Sequence, residues 1–202
     1  SGLHLGGLNP EACVELFEQS VLSIVSYAFS LCPPGSRRIK SLDRAQIDFG
    51  NEYLGLPPGS PGSICKSELG LLDFELRALK GRLLLLHRVH NSEVDTLTNA
   101  MLRWPIDDQG GTFLDHCQAS LGPILRRSSL RALLSTPYSI ASSTISAALL
   151  REQQARWQTQ SSLSDRTQAH AADKGQWGRD PYLLGRQPDQ ARRFIQFRTG
   201  TF

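Results

Sequence analysis

Between Arg37 and Tyr53, the side chains of Ile39, Leu42, Gln46, Phe49 and Tyr53 recur in steps of three and four. That spacing constrains the fold more than any other feature of the chain. An α-helix turns once in about 3.6 residues, so a run of this period lines one helical face. The same period returns elsewhere. Cys13, Leu16, Phe17, Val21, Ile24, Val25 and Ala28 predict one apolar face on a first helix. Asn9 is placed to cap it, Pro10 suits the first helical position, and Pro33-Pro34-Gly35 ends it. Gly55 is placed to stop the second helix in a left-handed conformation, and Leu56 to Gly62 reads as a rigid turn. Ser63 is placed to cap a short helix to Leu69, closed by Gly70. Leu76, Leu79, Leu83 and Leu86 then form the buried stripe of a third long helix, from Asp73 to His90.

The rest of the chain is punctuated more often. A short helix is expected from Ser92 to Leu102, ended by Trp104-Pro105. Asp107 to Gly111 reads as a loop, and Thr112 can cap Phe113–Leu121. Pro123 restarts the chain to Leu134, and Thr136-Pro137 opens a helix to Gln158 with Ile140, Ile145, Ala148, Leu149 and Trp157 apolar. Residues 160–180 are polar, with few apolar anchors, and read as a linker. Pro188 begins a last helix, with Gly200 placed to cap it. No run alternates with a period of two. The expected fold is therefore all-α: an irregular helical bundle with a polar linker near the C-terminus. Three segments are expected: 1–91, 92–159, and a polar linker with a terminal basic helix over 160–202.

Hydrophobic residues make up 40% and charged residues 20% of the 202, which fits a folded chain rather than a disordered one. Cys13, Cys32, Cys65 and Cys117 include no CxxC pair, so neither a cysteine zinc site nor a disulfide framework is expected. The longest strictly apolar run, Leu83–Leu86, is too short to span a membrane. The chain opens on Ser1 without a signal-peptide pattern and stops inside a structured-looking stretch, which leads us to expect a piece of something longer.

His87 and His90 stand at a spacing that can share a metal, but no third ligand completes the set in that helix. His116 and Cys117 are adjacent and point in different directions on a helix. The Asp107-Asp108 doublet lacks the flanking apolar strands of a two-metal polymerase box. Phosphate-loop, GxSxG and HExxH patterns are absent. No catalytic residue, metal ligand or resident cofactor is expected in this chain.

The net charge is +3 and the basic excess lies in the second half. Arg37, Arg38, Lys40 and Arg44 gather at the start of the second helix, the wrong end for the helix dipole, so an anionic partner or plain solvation must hold them there. Arg77, Lys80 and Arg88 fall in one narrow sector of the third helix, opposite its leucines, together with Gly81 and Leu84. Arg192, Arg193 and Arg198 are interleaved with Phe194 and Phe197, a pattern able to serve single-stranded nucleic acid. These ten cations are the candidate nucleic-acid-binding residues; a solvated charged face is the competing reading of each cluster.

Several blocks, in order, resemble the region after the palm in reverse transcriptases of non-LTR (LINE-like) retrotransposons. Gly7-Leu8-Asn9 leads into a helix running Leu16-Phe17-Glu18-Gln19-Ser20-Val21-Leu22-Ser23-Ile24-Val25-Ser26-Tyr27-Ala28. Leu42-Asp43-Arg44-Ala45-Gln46 leads to Tyr53-Leu54-Gly55-Leu56-Pro57, followed by a Ser60-Pro61 turn. Glu68-Leu69-Gly70-Leu71-Leu72-Asp73-Phe74-Glu75 precedes a Leu/Arg-rich helix ending in Leu86-His87-Arg88. Arg193-Phe194-Ile195-Gln196-Phe197-Arg198-Thr199-Gly200 is similar to the Arg-x-Arg-Thr-Gly element before a zinc knuckle. The resemblance covers residues 5–90 and the last block. Ser26 and Ala28 depart from the family's usual residues around the tyrosine, and Asp73 stands where proline is common. Neither the catalytic aspartate box nor the knuckle lies within this chain.

The resemblance implies a thumb and linker segment of an RNA-directed DNA polymerase, positioning primer–template through phosphates without being catalytic alone. It implies two partners, an RNA/DNA primer–template and the upstream palm domain of the same polyprotein, with magnesium belonging to that palm. Neither a membrane nor a small-molecule substrate is implied for this segment. The family's compartments are nucleus and cytoplasm. Two other readings stay open at this point: a stand-alone α-helical protein-interaction module, or a decayed element with no activity.

Overall fold

The computed structural model describes residues 8–25, 35–92, 100, 105, 112, 115, 117, 127–180 and 187–199. Among these residues the fold is all-α, and the only strand-like pairing is an isolated bridge between Pro105 and Thr112. The helices are α1 (Pro10–Phe17), α2 (Arg37–Leu54), α3 (Gly62–Leu69), α4 (Phe74–His90), α5 (Arg127–Leu134), α6 (Tyr138–Ser161), α7 (Asp165–Lys174) and α8 (Pro188–Thr199). The chain divides into two compact units. The first comprises Ser1–Val25, Lys40–Asp73 and Gln153–Phe202; the second comprises Ser26–Ile39 and Phe74–Glu152. These boundaries cut through α2 and α6 and do not follow the segments 1–91, 92–159 and 160–202.

In the first unit, α1 begins where its cap requires: the Asn9 side chain accepts from the Ala12 amide at 2.7 Å, and Pro10 opens the helix. Cys13, Val14 and Phe17 are buried, and Phe17 stacks on Phe49 with ring centroids 4.6 Å apart. The helix then widens into a π-helical turn, Glu18–Leu22. A π turn holds one residue more than an α turn. Leu22, five residues after Phe17, therefore takes the buried place expected for Val21, while Leu16, Val21 and Ile24 are exposed. The single apolar face expected across this helix is corrected by that one-residue insertion.

The helix stops expected at Gly55 and Gly70 are found. Gly55 has φ +65° and Gly70 φ +66°. Beyond each, an amide reaches back five residues, Leu56 to the Asn51 carbonyl and Leu71 to that of Lys66, and both leucines are buried. Ser63 does not cap α3, which starts one residue earlier, after Pro61. α2 and α3 approach closely at Gly50, where a Cβ would stand 3.2 Å from the Cys65 Cβ and Sγ. Lys66, almost fully buried, ties the two helices by pairing with Asp43 at 2.5 Å and with Asp73 at 2.7 Å. The Asp43 and Asp73 charges raise the Lys66 pKa against the opposing effect of burial.

The polar stretch 160–180, expected as a linker, contains α7 and is folded into this unit. Ser164 caps α7, accepting from the Thr167 amide, and α7 packs on α3 and α8. Its buried side chains are Thr167, His170 and Lys174, so its inner face is polar and leaves no apolar period to read. In α8 the inner face is Ala191, Ile195 and Thr199, while Phe194 and Phe197 are exposed.

The second unit packs α4 on α5 and holds the first part of α6. Leu76, Leu79, Leu83 and Leu86 are buried as their spacing requires, with Leu130, Leu133, Ala141, Ile145 and Leu149 from the other helices. Ile140 is exposed and Ala141 buried in its place. The Asn91 side chain donates from Nδ2 to the Leu134 carbonyl at 2.9 Å, joining the ends of α4 and α5. Thr112 and Asp115 cap one another: the Asp115 amide donates to the Thr112 hydroxyl, and the Thr112 amide donates to the Asp115 carboxylate. All but Ser92 and Ala100 of the short helix expected over Ser92–Leu102, most of the loop and helix after it, His116, Cys32 and Gly200 lie outside the described residues.

Candidate nucleic-acid interface

On α4 the geometry follows the period. Leu76, Leu79, Leu83 and Leu86 are no more than 5% exposed. Arg77, Lys80, Gly81 and Leu84 are half-buried and Arg88 is exposed, all within the opposite sector at about 100° per residue. Arg82, two positions from Lys80, is instead 3% exposed and belongs to the core beside Cys117. At the start of α2, Arg37, Arg38 and Lys40 are exposed and the first turn holds no acidic residue. Arg44 pairs with Asp48 at 3.1 Å, an exposed ion pair of little energetic weight. Arg37 and Arg38 belong to the same unit as α4; Lys40 and Arg44 belong to the other.

The third cluster does not stay together. Arg198 is 8% exposed and reaches Glu68 at 3.1 Å, Asp180 at 2.7 Å and Asp173 at 2.5 Å. Arg192 donates to the Tyr53 carbonyl at 2.6 Å and lies over the Tyr53 ring. Only Arg193 of the three is exposed. A helical wheel separates these positions, and the inward-facing arginine finds carboxylates that local sequence does not place beside it.

One of those carboxylates, Glu68, is the centre of a buried network that sequence reasoning missed. Glu68, with no exposed surface, accepts from His170 at 2.7 Å and pairs with Lys174 at 3.5 Å and Arg198 at 3.1 Å. Lys174 also meets Asp180 at 3.2 Å. Burial acts to raise the Glu68 pKa, but the His170 hydrogen bond and the neighbouring positive charges outweigh it and hold the carboxyl at about 2. The available signals were slight: Ser164 as a cap, and His170 and Lys174 one turn apart. With Glu68, His170 and Lys174 closed to solvent, the centre of the network serves structure rather than proton transfer.

His87 is likewise engaged, its Nε2 bonded to the Thr136 carbonyl at 2.8 Å, while His90 is exposed. Burial pushes the Cys13 and Cys117 thiols up to about 11 and Cys65 to about 12, so none supplies a thiolate at neutral pH. Among the described residues, no three His, Cys, Asp or Glu side chains are grouped to hold a metal, and no helix is long and apolar enough to cross a membrane. No family model, curated protein or solved structure matches the chain.

Proposed function

We propose that this chain is the thumb and linker segment of a non-LTR retrotransposon RNA-directed DNA polymerase, holding primer–template through its phosphates. The observation that carries the reading is the ordered series of motifs from Leu42 to Arg88, with Tyr53-Leu54-Gly55-Leu56-Pro57 at its centre. Two features fit it. Exposed or half-buried cations stand at the start of α2 and along one sector of α4, where phosphates can reach them. Leu16, Val21 and Ile24 form exposed apolar surface on the first helix, suited to a covering partner that in this reading is the palm of the same polyprotein. The polymerase's magnesium and catalytic carboxylates then belong to that palm, and the compartments are those of the retrotransposon, cytoplasm and nucleus.

The exposed leucine, valine and isoleucine also favour one second reading, a stand-alone helical module that binds another protein. Nucleic-acid binding separates the two. The chain should retain a labelled primer–template duplex on a filter at low salt, and Arg77→Glu with Lys80→Glu should weaken retention at least tenfold, since each reversal replaces attraction by repulsion within about one Debye length. A folded protein that binds no duplex at low salt, yet forms a defined complex or oligomer by light scattering, would favour the interaction module.

A further inference from the structure

We propose that Arg88 and Tyr138 act together as a phosphate-grasping pair on the second unit, directed at the backbone of a nucleic acid. The inference rests on the nucleic-acid reading above and adds to it a second helix and a neutral donor. Tyr138 opens α6 and is 40% exposed. Arg88 donates from Nη2 to the Tyr138 hydroxyl at 2.9 Å, and its guanidinium lies 5.1 Å from the centre of the Tyr138 ring. A phenol that accepts from a guanidinium keeps its own proton to give, and among the described residues nothing accepts it. Positive charge and a polarised O–H donor thus stand side by side in solvent, the combination that charge-assisted binding of a phosphate oxygen uses.

The pair is held from behind. The His87 ring meets Tyr138 edge-on at 5.7 Å and is fixed by its bond to the Thr136 carbonyl. Asn91 ties the end of α4 to the Leu134 carbonyl. Two helix ends therefore bring Arg88 and Tyr138 together without help from a ligand, which lowers the cost of binding one.

The charge along the two helices that hold the pair fits an anion; Glu93, Asp95, Asp107 and Asp108 of the same unit lie outside the described residues. From Cys117 to Leu150 the sequence contains Arg126, Arg127 and Arg131 and no Asp or Glu. On α4 and α6 the acidic residues are Glu75 and Glu152, each roughly 20 Å along its helix from the pair at about 1.5 Å per residue. Asp115 is occupied by Thr112. An acidic protein surface offers the same charge, but a neutral hydroxyl donor beside a guanidinium suits the several oxygens of a phosphate, which can take both donors at once.

Fluorescence anisotropy of a labelled primer–template duplex over a salt series tests the pair. Tyr138→Phe keeps the ring and removes only the hydroxyl; it should weaken binding about five- to tenfold with an unchanged thermal midpoint. Arg88→Gln should weaken binding and lower the slope of log K against log salt by about 1. The double variant should lose less than the sum of the two, because the residues act as a unit. The inference is overturned if Tyr138→Phe binds like the parent while Arg77→Glu with Lys80→Glu has lost binding; the nucleic-acid reading then survives without it. A parent chain that binds no duplex at low salt overturns both.

Discussion

Glu68 concentrates the energetics of the first unit in one side chain. It has no exposed surface, and His170, Lys174 and Arg198 all converge on its two oxygens. Removing one member of such a group leaves the others buried without their counter-charge, which costs about 3–5 kcal/mol. Glu68→Gln should therefore lower the urea midpoint sharply while the helices remain, and a midpoint equal to the parent's would show that Asp180 alone suffices for Lys174 and Arg198. The pH dependence follows from the depressed pKa. An unfolded carboxyl titrates near 4.5 and the folded one at about 2, so the unfolded chain binds the proton more readily between those values. The stabilisation is complete above about pH 4.5 and is lost as pH falls through 2, amounting to roughly 3 kcal/mol at neutral pH. Denaturant titrations at pH 6, 4 and 3 should show the parent losing more stability than Glu68→Gln over that range.

The boundaries of α2 and α4 were legible where an apolar period met a stop signal. Arg37–Tyr53 was expected and α2 runs Arg37–Leu54; Asp73–His90 was expected and α4 runs Phe74–His90. Gly55 and Gly70 stop their helices because only glycine takes a φ near +65° without strain. The failures have physical causes. α7 has no apolar period, because His170 and Lys174 are buried by ion pairing rather than by hydrophobicity, and the partners lie about a hundred residues away in sequence. The π turn was invisible because a reading at 3.6 residues per turn has no place for an extra residue. In the candidate interface, the α4 sector was legible from geometry alone, whereas the fates of Arg192 and Arg198 depended on Tyr53, Glu68 and Asp180. The π turn also yields a prediction. Deleting exposed Ser20 would let Glu18–Leu22 close as an α turn with Leu22 four residues after Phe17 and still in register. The deletion should shift the thermal midpoint by only a few degrees, corresponding to about 1 kcal/mol or less. Deleting Arg44 from regular α2 should instead rotate Gln46, Asn51, Tyr53 and Leu54 out of the core and abolish cooperative unfolding. Equal damage from both deletions would mean that the wide turn is needed for packing and does not merely absorb an extra residue.

For the molecule as a whole, the cations divide by task, and the division is not strictly by unit: Lys40, Arg44 and Arg193 of the first are exposed, and Arg82 of the second is buried. In the first, Lys66, Lys174, Arg192 and Arg198 are engaged with carboxylates or with a backbone carbonyl and an aromatic ring. In the second, Arg37, Arg38, Arg88 and Arg131 are exposed. If phosphates are what this chain binds, stability and binding should respond to different arginines. Arg198→Gln removes a guanidinium shared among Glu68, Asp173 and Asp180, and should lower the urea midpoint by the equivalent of about 2–4 kcal/mol. In conditions where that variant remains folded, its affinity for a primer–template duplex should stay within about twofold of the parent, a difference of roughly 0.4 kcal/mol. Arg37→Gln with Arg38→Gln should do the reverse. These exposed side chains at the positive end of α2 contribute little to folding, and their loss relieves repulsion with the helix dipole. The urea midpoint should hold or rise slightly, while the salt slope of binding falls by about 2, one for each phosphate that is no longer neutralised. Urea titration and anisotropy on the same two variants make the comparison. A loss of affinity that tracks stability in both would mean that the duplex recognises the folded chain generally, without singling out the exposed arginines of the second unit.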